Sequence, residues 1–295
     1  TVAAEKSSIN LRFTEPYFLE RDIAAGFDVF HINQDLQSSR SYDMRKSGVG
    51  LRAGYPVSEL LRQSWRYRFA NSEIKDVAST ASALIKGQEG ERFLSLVGHE
   101  LTYDARDSKI TPTEGYSTSI VNDLAGVGGD VFFLRNILSG SQYYTLGPGW
   151  IISARGKAGH ILGLGEDVEL ADRFFLGGSS LRGFASAGVG PRDKISKDAL
   201  GGEWLYHGGL ELAVPLGLPV ELGISGRLFS DFGSLGSVNP SNANVFDSGS
   251  LRATIGGGVG WVSPFGPINV DFGWALLKED LDETEVFRLN FGTRF

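Results

Sequence analysis

Residues 173–193 read RFFLGGSSLRGFASAGVGPRD. The stretch is rich in glycine and serine, carries Arg182 near its middle, and is too irregular for a strand. On both sides lie segments of about 10–14 residues in which apolar and polar side chains alternate, the period-2 mark of a strand with two unlike faces. A loop this long between strands is more often functional than idle.

Downstream, residues 203–214 place Trp204, Tyr206, Leu210, Leu212 and Val214 on one face and Glu203, His207 and Glu211 on the other. A Pro-Leu-Gly-Leu-Pro turn at 215–219 leads to an expected strand over 220–232, where Leu222, Ile224 and Leu228 oppose Glu221, Arg227 and Asp231. Residues 234–250 form a second long polar loop. The strand over 251–262 sets Leu251, Ala253, Ile255, Val259 and Trp261 against Arg252, Thr254 and a glycine run. After Pro264-Phe265-Gly266-Pro267, residues 268–276 set Ile268, Val270, Phe272, Trp274 and Leu276 against Asn269, Asp271 and Gly273. In the last strand, 285–295, Phe287, Leu289, Phe291, Thr293 and Phe295 oppose Arg288, Asn290, Gly292 and Arg294.

Upstream, the same alternation predicts strands over 8–17, 23–33, 47–57, 61–74, 93–104, 116–126, 133–146 and 150–160, thirteen in all. Residues 76–91 read as a short helix or loop, an excursion beyond the sheet rather than a core element.

The faces decide the class. In a soluble sandwich the apolar face is the interior. In a transmembrane barrel it meets lipid, with aromatics near its ends, and the polar face lines the lumen. Trp and Phe recur at strand ends here, and tight turns alternate with long polar loops, which favours the membrane. The expected fold is all-β: a transmembrane antiparallel β-barrel with a long loop folded into its lumen. No segment approaches the ~18 consecutive apolar residues of a membrane helix, but barrel strands hide their hydrophobicity in alternation. Single-chain bacterial barrels have even strand numbers, so thirteen strands imply either a miscount or a missing part. The N-terminal TVAAEKSS has no signal peptide, which an exported protein needs, so the chain is expected to be a mature or truncated piece.

A net charge of −7 without a basic cluster argues against nucleic acid as a partner, and the lack of cysteine excludes a disulfide scaffold and thiolate chemistry. No catalytic set emerges. The histidines at 31, 99, 160 and 207 lie on four different strands, which offers no metal site. Ser179 and Ser180 have no partnered histidine and acid. Gly256-Gly257-Gly258 lies mid-strand with no helix after it, so it is not a phosphate loop; close backbone approach or room for the inserted loop explains it better.

The loop, centred on Leu181-Arg182-Gly183-Phe184 and flanked by Phe175-Leu176-Gly177-Gly178 and Gly190-Pro191-Arg192-Asp193, resembles the sixth-loop signature of the BamA/TamA superfamily of outer-membrane assembly barrels. Phe229-Ser230-Asp231-Phe232-Gly233 and the closing segment from Trp261 to Phe295 match as well, and Glu15-Pro16-Tyr17-Phe18 resembles the end of the family's fourth strand. The Ser-Pro-Phe-Gly-Pro turn and the Gly-Thr-Arg-Phe ending are closer to the BamA branch than to TamA, two-partner secretion transporters or the mitochondrial sorting barrel. The resemblance implies strands four to sixteen of a sixteen-stranded barrel. The first three strands and the periplasmic POTRA domains would then be absent.

A guanidinium on a loop that enters a lumen needs carboxylates, and strand parity puts Glu211 and Asp231 on the inner face. The resemblance implies that Arg182 pairs with both. It also implies a bacterial outer-membrane location, no cofactor, and insertion of β-barrel proteins through a seam closed by the last strand. Phe287, Leu289, Phe291, Gly292 and Phe295 then form the seam strand and terminal signal, with Gly292 as a weak point in its pairing. The implied partners are unfolded outer-membrane β-barrel substrates, accessory lipoproteins and the lipid bilayer. The alternatives are a TamA-like or two-partner-secretion translocation barrel, an outer-membrane hydrolase and a soluble β-sandwich binding module.

Overall fold

The structure, a computed structural model, describes residues 6–263 and 266–291. Its frame is one antiparallel sheet of 13 strands that follow one another in chain order. The first eight are β1 (Lys6–Glu15), β2 (Ala24–Asp35), β3 (Asp43–Pro56), β4 (Leu61–Lys75), β5 (Gly90–Asp104), β6 (Gly115–Ala125), β7 (Phe133–Gly147) and β8 (Trp150–Gly163). After the long loop come β9 (Trp204–Pro215), β10 (Ile224–Gly236), β11 (Arg252–Ser263), β12 (Gly266–Leu277) and β13 (Phe287–Phe291). β1 and β13 are the two edges of the sheet. Pairing each strand with its neighbours satisfies the main-chain donors and acceptors that lipid cannot.

Alternation sends large apolar side chains outward along the strands. Phe13, Val29, Leu51, Trp65, Leu138, Leu210, Leu228, Ile255 and Trp274 are all exposed. The other face carries the charge: Asp123, Arg227, Asp231 and Asp271 are buried. A soluble sandwich would have these two faces reversed, so the transmembrane reading holds. Outward aromatics also stack across neighbouring strands, as in Phe13–Phe27, Phe69–Phe93 and Tyr103–Tyr116.

The two rims differ. One rim holds the tightest turns, as between β7 and β8, where Gly147 pairs with Trp150 and Gly149 supplies a φ of 77°. At the other rim the connections are long and build a cap. Its core is Tyr42, Met44, Ile74, Ala81, Ile85, Leu170, Leu200 and Val238, all buried. Residues 76–91 therefore do contribute to a core. A one-turn helix, Ala83–Lys86, is capped by Ser82 Oγ, which accepts from Ile85 N, and it drives Ile85 under the cap. The short helix was expected but its core role was not, because two buried residues, Ala81 and Ile85, leave no periodic signal.

Several strand bounds also shift. β3 begins at Asp43, because Asp43 pairs with Asp35 across the 36–42 connection, rather than at 47. Residues 220–222 form a 3-10 turn, and β10 starts only at Ile224, after Gly223 turns the chain with a φ of 62°. The last strand begins later than expected. Thr284–Glu285 leave the sheet to pair with Gly183–Phe184 of the long loop, and among the described residues Phe287–Phe291 pair with β12.

Candidate functional site: the loop arginine and its carboxylates

The loop between β8 and β9 enters the barrel under the cap. Leu181 and Phe184 are fully buried and pack with Leu176, Val189, Leu205 and Leu235. Fixing two such side chains contributes about 1.5–3 kcal/mol each. Between them the chain turns at Gly183 with a φ of 92°, a conformation that disfavours a side chain. A Cβ there would also lie 3.1 Å from Thr254 Cγ2.

This turn aims Arg182 at the wall of β9 to β12. Its Nε and Nη2 donate to the two oxygens of Asp231 at 2.7 and 2.8 Å, a bidentate fork. Its Nη1 donates to Glu211 Oε2 at 2.6 Å, and its main-chain N–H to Asp231 Oδ2 at 3.2 Å. The guanidinium carbon stands 3.4 Å from the centroid of the Phe229 ring, so the plane is held on one face as well as along its edges. Arg182 and Asp231 are 1% and 0% exposed, which leaves water no share in the pair.

Three further charges complete the cluster, and none was assigned to the site from sequence. Arg155 Nη2 donates to Asp231 Oδ1 at 3.0 Å. Arg227 holds Glu211 with Nε and Nη2 at 2.8 and 2.7 Å and reaches Asp271 at 3.3 Å. Asp271 lies 3.9 Å from Arg182 Nη1. Three guanidiniums thus face three carboxylates, and the buried charge cancels. Parity was the available signal, since these residues share the inner face with Glu211 and Asp231.

Glycines make the space. A Cβ on Gly209 would lie 2.2 Å from Asp231 Oδ1. One on Gly256 would lie 2.3 Å from the Phe229 ring, and one on Gly273 would lie 2.8 Å from Gly183 N. The glycine run of β11 is thus explained at Gly256, which admits the ring that Arg182 stacks on.

The rest of the loop is tied to the cap. Asp198 accepts from Ser41 Oγ, Ser82 N and Ser196 Oγ at 2.5, 2.9 and 2.7 Å. Arg173 donates to the carbonyls of Val168 and Leu200 at 3.0 and 3.3 Å. Glu211 and Asp231 are both engaged by guanidinium donors, so neither stands as a free base. The arrangement holds a loop in place.

The remaining site residues lie apart from this cluster. Phe287, Leu289 and Phe291 point outward from β13. Gly292 and Phe295 fall outside the described residues.

A thirteen-stranded barrel wall with this loop arginine narrows the choice of family, and residues 1–295 match the Omp85 superfamily domain throughout. The chain belongs to the Omp85 superfamily. Among Omp85 relatives, it is 32% identical over 291 residues to the outer membrane protein assembly factor BamA of Neorickettsia risticii, covering 98% of this chain and 39% of that protein. It is 30% identical over 283 residues to BamA of Nitratidesulfovibrio vulgaris, covering 93% of this chain and 34% of that protein. The crystal structure of BamA from Haemophilus ducreyi lacking POTRA domains 1-3 superposes with a TM-score of 0.84 at 21% identity, over 97% of this chain and 61% of that one. The chain therefore spans well under half the length of the two sequence relatives, and the structural likeness establishes the fold.

Proposed function

We propose that the chain is the barrel portion of a bacterial outer-membrane assembly factor that inserts β-barrel proteins through a lateral seam. The observation that carries this reading is the similarity to two proteins named for that activity over 98% and 93% of the chain. In this reading the tight-turn rim faces the periplasm and the capped rim the exterior. In this reading β13 borders the seam, and opening the seam exposes its main-chain groups. Such groups are costly in lipid, so an incoming strand gains by pairing there. Accessory lipoproteins and POTRA domains belong to the same reading. The Arg182 cluster contributes position: it keeps the loop inside the barrel, next to the strands that lead to the seam.

Depletion of the full polypeptide in its native host tests this. Many unrelated outer-membrane barrels should fall together in the membrane fraction. Loss of one secreted passenger, with other barrels unchanged, would identify a translocation barrel and overturn the reading.

A further inference from the structure

The loop does more than sit in the lumen, for it is stitched to the segment that feeds β13. Gly183 and Phe184 pair antiparallel with Glu285 and Thr284. Ala185 N donates to Glu283 O at 2.9 Å, and Glu283 N donates to Gly188 O at 2.8 Å. Arg192, fully buried, adds a charge-assisted bond from Nη1 to Glu283 Oε1 at 2.7 Å. On the far side of this ladder Val286 O accepts from Gly273 N at 2.8 Å, and Arg288 of β13 binds Glu285. Gly178 of the loop lies over that same arginine, since a Cβ there would stand 3.4 Å from Arg288 Nη1.

The fit leaves no slack. A Cβ on Gly188 would lie 2.5 Å from Glu283 O, closer than real Cβ contacts come. Arg252 and Asp282, each 1% exposed, pin the residue before Glu283 to β11 at 2.9 Å. Residues 282–285 are thus held between the barrel wall and the loop, and β13 follows directly.

We propose that Glu283 is a positioning residue through which the loop clamps the capped end of β13. While Arg182 is docked, the loop supplies residues 283–285 with strand-like main-chain partners and holds β13 against β12. When the loop withdraws, those partners go with it, and the start of β13 is left with its pairing to β12. The role of this clamp in assembly rests on the function proposed above; the mechanical coupling does not.

The test uses the full-length protein in lipid nanodiscs, with hydrogen exchange followed by mass spectrometry. Three variants perturb the strap in different ways. Glu283→Lys reverses the charge facing Arg192, Gly188→Ala wedges the loop from residue 283 without altering charge, and Arg182→Ala releases the loop at its root. Each should speed exchange across residues 284–291 at least tenfold while β4 to β6, remote from Arg182 and Glu283, keep their wild-type rates. Combining Arg192→Glu with Glu283→Lys should recover much of the protection. Faster exchange in the loop with β13 at its wild-type rate, or no change in either, would overturn the coupling. Barrel insertion by the wild-type protein in liposomes is scored separately. Failure there rejects the assembly reading, while the exchange rates alone decide the strap.

Discussion

Arg182 illustrates how much one side chain can do when its partners are out of water. Removing its side chain strands Asp231, which is fully buried and would keep Arg155 as its charged partner. Breaking such a pair costs about 3–5 kcal/mol, most of it the penalty of an uncompensated charge. Arg182→Lys keeps the charge but loses the two-pronged fork and the flat face on Phe229, so it should fail nearly as badly as Arg182→Ala. In both variants the purified barrel should stay folded on a semi-native gel while residues 173–193 become open to protease. Wild-type protease resistance in Arg182→Ala would remove the anchor role. The inner-face parity of Glu211 and Asp231 was legible in the sequence. The space at Gly256 was legible too, but the stacking on Phe229 and the vacancies at Gly209 and Gly273 were not, because a glycine does not announce which neighbour fills its place.

At the scale of elements, the turns are set by local chemistry. The β5–β6 turn is organised by Asp107, whose carboxylate accepts from Thr113 Oγ1 at 2.6 Å and from the amides of Thr113, Glu114 and Ser108 at 2.9, 3.1 and 2.9 Å. The Thr113 hydroxyl first, then these amides, favour the charged form and draw its pKa down to about 2. A depressed carboxylate stabilises the turn above its unfolded pKa of about 3.9, and that contribution is lost as pH falls through about 2. In detergent micelles the Thr113 amide resonance should therefore titrate with a midpoint near 2, and Asp107→Asn should abolish the transition. A midpoint near 4 would mean that the carboxylate is not held this way. The same scale explains the shifted strand bounds. Residues 220–222 alternate like a strand, yet Pro219 and Gly223 enclose them too closely for a ladder, and they coil instead.

For the whole molecule, the governing fact is that the exposed face is apolar. Leu210, near the centre of β9, is 55% exposed on that face. Leu210→Arg should cost about 2–4 kcal/mol if the residue sits at the bilayer midplane. Reversible urea unfolding in phospholipid vesicles measures this. A cost near zero would mean that lipid does not touch this face. The cap adds a second level of organisation, since Tyr42, Ile85, Leu170 and Val238 come from four separate connections and meet only above the barrel.

The period-2 pattern, the apolar face, the alternation of tight and long turns and the inward parity of the charged residues were all determined by the sequence itself. They are local properties: each needs only residues one or two places apart, and the backbone repeats them along every strand. What only the tertiary structure decided was pairing at long range. Arg182 meets Asp231 across 49 residues, Arg192 meets Glu283 across 91, and Thr284–Glu285 abandon β12 for the loop. Those choices depend on which inner-face positions come level across the sheet and on where missing side chains leave room. Neither is written in the alternation of a single strand.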